Sequence, residues 1–486
     1  MNITVIGQGY VGLVTAACFA EWDHHVTGID ANPQRISALK AGRIPFHEPG
    51  LDELVKSNVA AGRLRFTESS AGVLRDSDVV FVAVGTHDGN GGWQTATILT
   101  CLGEIVPELP DRAVLVIRST LPPEFVRQLG NVVDTLREQA GKHSIAVLLN
   151  PEFTREGAAI LDFTQPERIV FGVSSDQDER GVAAMRQLYA PANAPMLVMP
   201  AIDAAFSKLG ANLFLATKIS FVNELASLCD SFGATIDNVV GAMSYDERIG
   251  GRFLHAGVGF GGSCLPHQVS MTVRTAGIAG VPAPLLTAVD DINHRRRTEM
   301  VDRLIELLDR PVDGALVAIL GLTFKPHTDD LRDAPSLAIA KQLLERGATV
   351  VAYDPMETAR TLAATFVDGL VTVASPEEAL RGADAAAVVT EWPDIRHLDW
   401  AHVRGLMRGH VVFDGRNALD PSAVTAAGYR YAAFGRGEHE APAFAMSQEH
   451  LGRGIGAVTV DASQLEPVAV PARTQASDRE RAGRGA

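Results

Sequence analysis

The sequence predicts an α/β protein in which two doubly wound parallel-sheet domains are joined by a long central helix and a helical middle domain. Three observations carry this prediction. Short β-branched runs alternate with helical patterns over the first 200 residues. A proline-free stretch of about 30 residues follows, with its apolar positions at helical spacing. The strand–helix alternation then begins again at Leu316.

In the first domain, residues 1–200, strands are predicted at 3–6, 25–29, 79–84, 114–117, 145–149 and 169–171. Their apolar content is nearly continuous, as in strands covered on both faces of a parallel sheet. The middle domain, residues 201–300, opens with IDAAFSKLGANLFLATKISFVNELASLCDSFG. A helix of that length spans ~45 Å, more than one domain, so its faces are expected to pack on both neighbours and on a second subunit. The second α/β domain, residues 301–436, has predicted strands at 316–320, 349–353, 370–373, 385–390 and 411–414. Residues 437–486 are rich in Ala, Gly, Pro, Ser and charge, and read as a disordered tail without a catalytic part.

Composition narrows the partners. A net charge of −15 argues against nucleic acid or an anionic membrane as the main partner, which leaves a small ligand in a cleft. Cys18, Cys101, Cys229 and Cys264 lack paired spacing, so neither a disulfide framework nor a metal cluster is expected, and a reducing cytoplasm fits. MNITVIGQGYVG reads as a strand entering a turn rather than as a signal peptide. No apolar run reaches the ~18 residues of a membrane span.

Gly7-Gln8-Gly9-Tyr10-Val11-Gly12 lies between a predicted strand and a predicted helix. In that setting Gly7 permits a tight turn, Gly9 lets a pyrophosphate approach the backbone, and Gly12 lets helix pack closely on strand. The helix N-terminus then offers unpaired N–H groups to the anion. Asp30 ends the second strand, where a carboxylate takes both ribose hydroxyls and repels a 2′-phosphate; NAD is therefore expected rather than NADP. Arg35 is read as a partner for the pyrophosphate or the adenosine end. The domain is Rossmann-like on these grounds.

Cys264 closes the glycine-rich run GVGFGGSC, which brings backbone N–H groups near a ligand and leaves the thiol accessible, whereas Cys18 and Cys229 sit among large apolar neighbours. This run resembles the nucleophile loop of UDP-glucose dehydrogenases, in the UDP-glucose/GDP-mannose dehydrogenase family. Further stretches agree with that family in order: GQGYVG, HEPGL, RST, NPEFTREG, SKLGANLFLATKISFVNE, DERIGGRFL, GLTFKPHTDDLRDAPS and DGRN. Together they cover residues 1–435.

The resemblance implies a four-electron, NAD-dependent oxidation of a nucleotide-sugar C6 alcohol to a uronic acid. In it Cys264 forms a thiohemiacetal and then a thioester, chemistry suited to a thiol that is both nucleophile and leaving group. It makes Lys208 the cation beside the oxyanion, supported by Asn212 one helical turn on. Glu152 becomes the base or water-orienting acid, Thr120 orders water and touches NAD, and Glu156 lies nearer the nicotinamide. Outside the family pattern, two glutamates four apart would read as an exposed helix face. The cofactor set it implies is Gly7, Gly9, Tyr10, Val11, Gly12, Asp30, Arg35, Thr86, Thr120, Glu156, His267 and Arg332. The substrate set is Glu152, Phe153, Thr154, Arg155, Lys208, Asn212, Arg252, Phe253, Gly261 and Lys325, with Arg252 and Lys325 facing the diphosphate. The second α/β domain has ILGLTFK in place of a glycine triplet and is expected to hold the substrate's nucleotide. Dimers through the central helix are usual in the family.

The chain departs from the family after the cysteine, where a Lys-Asp pair is usual: His267 and Gln268 stand there. Glutamine is neither base nor charge, although its amide can hold a water. His87 replaces a usual proline. Three readings follow: a UDP-glucose dehydrogenase with a modified hydrolytic step, a dehydrogenase of GDP-mannose or UDP-N-acetylmannosamine, or a weakly catalytic paralogue binding NAD or nucleotide sugar. DERIGGRFL favours the first over the second, and the retained Cys264, Lys208, Asn212, Glu152 and Thr120 speak against the third.

Overall fold

The computed structural model describes residues 1–86, 92–142, 144–174 and 178–439. His87 and the predicted tail beyond 439 lie outside the described residues.

The first sheet has eight strands in the order β3-β2-β1-β4-β5-β6-β7-β8. They are β1 (Asn2–Ile6), β2 (His25–Ile29), β3 (Leu64–Thr67), β4 (Val79–Val82), β5 (Val114–Ile117), β6 (Ala146–Leu149), β7 (Ile169–Val173) and β8 (Met196–Pro200). β3 to β6 are joined in parallel, and helices cover both faces with separate apolar cores. The expectation of a wholly parallel sheet needs one correction, because β6 pairs antiparallel with β7, Leu149 opposite Gly172. The reason is the connection. Its first residues form the irregular PEFTREG loop, and its helix Ala159–Thr164 has only six residues, too short to carry the chain back along the sheet. β3 and β8 were not expected from apolar runs: LRFT alternates buried with exposed, and MLVMP is largely uncovered at the sheet edge.

Helix Ala201–Phe232 is 32 residues long and ends at Gly233 in a left-handed cap, φ +73°. Its polarity is reversed relative to an ordinary surface helix. Lys208, Asn212, Ser220 and Asn223 are buried, while Phe206, Phe214, Phe221, Leu228 and Phe232 are 50–73% exposed. Helices Leu265–Ile278 and Pro284–Leu307 pack on the buried side.

The second sheet has the order β11-β10-β9-β12-β13-β14-β15. Its strands are β9 (Leu316–Leu320), β10 (Thr349–Tyr353), β11 (Val371–Val373), β12 (Ala385–Val388), β13 (Val411–Asp414), β14 (Arg430–Ala433) and β15 (Glu438–His439). All neighbours are parallel except β14 and β15. The two sheets share a 3-2-1-4-5-6 core order, so each has a crevice where the strand order reverses, and ligands bind at such crevices.

Candidate active site

The first crevice is built for a dinucleotide. Gly7 has φ +89° and its N–H donates to the Ile29 carbonyl at 2.8 Å; a Cβ on Gly12 would lie 1.7 Å from the Gly7 carbonyl oxygen. A Cβ on Gly9 would meet nothing within 4 Å, which is the open space a pyrophosphate requires in front of the helix Tyr10–Glu21. Tyr10 and Val11 form its first turn. Asp30 is 6% exposed at the end of β2 and accepts from the Gln8 N–H at 2.7 Å, the Asn32 N–H at 2.8 Å and Arg35 Nη1 at 2.8 Å. Arg35 thus pairs with the Asp30 carboxylate itself. Thr86 Oγ1 donates to the Thr120 carbonyl at 2.7 Å and ties the ends of β4 and β5. These residues fit NAD. Replacing Asp30 by Ala is expected to weaken NAD binding about tenfold or more and NADP binding less, because it removes two ribose hydrogen bonds and one repulsion. Titration of both cofactors checks this, and equal losses would remove Asp30 from cofactor selection.

A second cluster centres on Lys208. Its Nζ lies 3.0 Å from Glu152 Oε1, with the two side chains 6% and 8% exposed. Glu152 Oε2 accepts from the Thr154 N–H at 2.7 Å and from its hydroxyl. Burial raises the Glu152 carboxyl, but the Lys208 charge and the Thr154 bonds outweigh it and leave the group below its ordinary range. Glu152 and Glu156 stand on a loop, not on a helix face, and both are withdrawn from solvent. The Phe153 ring lies between Arg168, 3.8 Å from its centroid, and Lys208 at 5.4 Å.

Cys264 caps helix Leu265–Ile278 and opens on the cleft. Withdrawal of its sulfur from bulk water pushes the thiol up, Lys208 opposes that, and Glu152 and Glu156 add to it; the net direction is upward. One turn on, Gln268 is 3% exposed and its N–H donates to the Cys264 carbonyl at 3.1 Å. Asn212 Nδ2 donates to Gln268 Oε1 at 3.0 Å. Two pairs spaced four residues apart, Lys208 with Asn212 and Cys264 with Gln268, therefore face each other across two helices. His267 is half-buried beside them.

The glycine-rich loop is pinned by residues to which sequence reasoning gave no role. Asn223 Oδ1 accepts from the Gly257 N–H at 2.8 Å, and Asn293 brackets Phe260 with bonds of 2.8 and 3.0 Å. Arg416 Nη1 donates to the Gly259 carbonyl at 2.9 Å and Nη2 to the Phe324 carbonyl at 2.8 Å. Gly261 lies so close to Asp333 that a Cβ would sit 2.5 Å from its carbonyl oxygen. Glu48 was also missed: it is bonded by the Tyr10 hydroxyl and accepts from the Gly157 and Ala159 N–H groups at 2.6 and 2.7 Å, fixing the loop that carries Glu152 and Glu156. The available signal was polar side chains inside apolar helices and motifs.

A third cluster joins the two α/β halves. Arg332 Nη2 lies 3.2 Å from Glu156 Oε1 and 2.7 Å from Asp330 Oδ2. Burial, with Asp330 adding to it, pushes the Glu156 carboxyl up to about 7 against Arg332 and Lys325, while burial lowers Lys325. A cavity of about 310 Å³ opens here between Arg155, Glu156, Lys325, His327, Glu391 and Arg396. Arg155 is held by Asp162 at 2.6 Å. Arg252 stands apart from all three clusters, 86% exposed and 3.3 Å from Glu167, and Phe253 next to it has φ +65°.

The raised Glu156 value has a consequence for stability. A carboxyl with a folded value above its unfolded one (about 4.3) is disfavoured as the anion, so it subtracts stability as pH rises from ~4.3 through about 7. Glu156→Gln is therefore expected to be neutral below about pH 4 and stabilising at pH 8, on the order of 1–3 kcal/mol. Thermal melts at the two pH values check it; a pH-independent difference would contradict it.

Comparison with known proteins gives the following. Residues 1–193 match the NAD binding domain of the UDP-glucose/GDP-mannose dehydrogenase family, residues 203–295 its central domain and residues 318–421 its UDP binding domain. The chain is 41% identical over 443 residues to UDP-glucose 6-dehydrogenase of Rhizobium meliloti (strain 1021), covering 90% of this chain and 100% of that one. It is 40% identical over 445 residues to the Pseudomonas aeruginosa enzyme of the same name, covering 90% and 98%. Among solved structures, a UDP-glucose dehydrogenase from Pyrobaculum islandicum superimposes with a TM-score of 0.79 at 36% identity, covering 86% of this chain and 94% of that one.

Proposed function

The chain belongs to the UDP-glucose/GDP-mannose dehydrogenase family, and from that premise we propose that it oxidises UDP-glucose to UDP-glucuronate with two NAD, supplying uronic acid for polysaccharide synthesis. The observation that carries the reading is the meeting of Cys264 with the buried Lys208–Glu152 pair, between a dinucleotide crevice and a second α/β half. On this reading residues 1–200 bind NAD, 201–300 carry the catalytic helix and the subunit contact, and 301–436 bind the UDP-sugar.

NAD, when bound, accepts a hydride in each of the two oxidations. The remaining work belongs to side chains. Glu152, kept ionised by Lys208, accepts the C6 hydroxyl proton directly or through a water that Thr120 helps to hold. Cys264 adds to the aldehyde, and the Lys208 ammonium stabilises the negative oxygen that forms. Asn212 supports the same centre. Lys325 provides a cationic partner for the diphosphate, and Arg252 a second from an exposed position. Phe153, Thr154, Arg155, Phe253 and Gly261 line the sugar and nucleotide, while Arg332, Glu156 and His267 face NAD.

The test is NADH formation with a panel of UDP-glucose, GDP-mannose and UDP-N-acetylmannosamine. UDP-glucose is expected to give two NADH per sugar; a preference for either other sugar would overturn the substrate assignment.

The exposed stripe of Phe206, Phe214, Phe221, Leu228 and Phe232 supports a homodimer formed through the central helix, since isolated monomers rarely leave such a surface uncovered. Phe214→Asp with Phe221→Asp is expected to give a monomer in sedimentation, and an unchanged mass would place the contact elsewhere. A reducing cytoplasm suits thiol-dependent chemistry and the four free cysteines. Among the described residues no helix is long and apolar enough to cross a membrane.

A further inference from the structure

Gln268 occupies a position within the reaction centre and carries an amide. Its Oε1 is taken by Asn212 Nδ2 at 3.0 Å. Among the described residues its Nε2 has no acceptor, and the atom keeps some contact with solvent although the residue is only 3% exposed. Gln268 lies one helical turn from Cys264 on the same helix face and across from the Lys208–Asn212 face. Asn212 Nδ2 gives one of its two N–H groups to Gln268 Oε1, and Gln268 adds an amide donor of its own one helical turn from the thiol.

We infer that Gln268 Nε2 is an oxyanion donor, acting with the Lys208 ammonium on the C6 oxygen of the sugar; the inference rests on the function proposed above. Addition of the Cys264 thiolate to the aldehyde forms a C–S bond and moves the carbonyl π pair onto oxygen. Loss of the C6 hydride to NAD returns that pair to the carbonyl and leaves the thioester. Water then adds, giving one proton to Glu152, and the same oxygen becomes negative again; collapse of the adduct breaks the C–S bond and releases the Cys264 thiolate and the carboxylic acid, which loses its proton to solvent. An N–H aimed at this oxygen therefore assists both additions, whereas a carboxylate at position 268 would repel it. The site has exchanged a base for a donor at this position, and Glu152 is left to handle protons.

Two variants test this in the full chain. Gln268→Met removes the donor at similar volume, and Gln268→Glu keeps the shape but donates only while protonated. Turnover of UDP-glucose is followed from about pH 5 to 9, with NAD binding and melting temperature as controls for folding. Intact-mass measurement of the acyl adduct on Cys264 is a second readout. The expected results are a roughly 10²-fold lower kcat for Gln268→Met with little change in KM, and a Gln268→Glu enzyme whose kcat falls as pH rises. Acyl adduct is expected to accumulate in Gln268→Met wherever the second addition is limiting. A Gln268→Glu activity that rises with pH would show that the position calls for a base, and a Gln268→Met enzyme equal to the parent would show a space-filling residue. Either result overturns the donor role alone. A parent inert towards all three nucleotide sugars overturns the function and this role together.

Discussion

Cys264→Ser is expected to reduce UDP-glucuronate formation by at least ~10⁴-fold while UDP-glucose and NAD still bind. The expectation rests on the thiol's position. It caps helix Leu265–Ile278 at the mouth of the cleft, and the Lys208 charge acts on it against the withdrawal from water that raises it. A serine hydroxyl ionises far less readily than a thiol, and the Lys208 charge that favours the thiolate cannot make up that difference. Serine therefore traps the aldehyde poorly and leaves poorly from an ester. Steady-state NADH formation, isothermal titration with UDP-glucose and product analysis measure the three quantities. Full turnover in the serine variant would make Cys264 a structural residue of the loop and would leave the proposed covalent route without a nucleophile.

Lys208→Ala is expected to cost both chemistry and stability. The ammonium is the largest influence lowering the Cys264 thiol, so the pH profile of thiol alkylation should move upward in the variant. Loss of the oxyanion partner is expected to lower kcat by about 10²–10³-fold. Removing Lys208 also leaves Glu152, 8% exposed, as an unpaired buried carboxylate, at a cost of roughly 3–5 kcal/mol. The sign with pH follows from Glu152. Its folded value lies below its unfolded one, so the pair's contribution is fully present above ~4.3 and is lost as pH falls through the folded value. The destabilisation by Lys208→Ala should accordingly shrink on acidification. Adding Glu152→Gln should restore stability near neutrality without restoring turnover. If the single variant melts like the parent at pH 7, the pair is not a stabilising one.

Much of the fold was legible because its signals are local. A strand buried on both faces must be apolar along its length, and residues 79–82 and 114–117 could be little else. Gly7 and Gly12 are demanded by a turn whose geometry is complete within one strand and one helix. The same holds for Asp30, at the end of the adjacent strand. The antiparallel β7 was not legible, since direction depends on where a connection ends rather than on what its strand contains. Edge strands β3 and β8 were missed because an uncovered strand has no need of a continuous apolar run, and β14, although buried between β13 and β15, was missed because its RYAA is too short and too polar to read as one.

For the site, the sequence by itself determined the dinucleotide-binding crevice and, through the order of its motifs, the family, and it singled out Cys264 as the candidate thiol. Tertiary structure decided which side chains meet. That Lys208 is paired with Glu152, that Asp30 holds Arg35, and that Asn212 donates an amide N–H to Gln268 are contacts between residues 56, 5 and 56 positions apart. The reversed polarity of the central helix was equally out of reach. A buried lysine and an exposed phenylalanine look alike in a pattern of spacing, and only the packing of helices Leu265–Ile278 and Pro284–Leu307 shows which face is inside. Local sequence restricts backbone conformation and burial; the pairing of charges and hydrogen bonds that sets the chemistry arises only when distant segments are brought within 3 Å or so of each other.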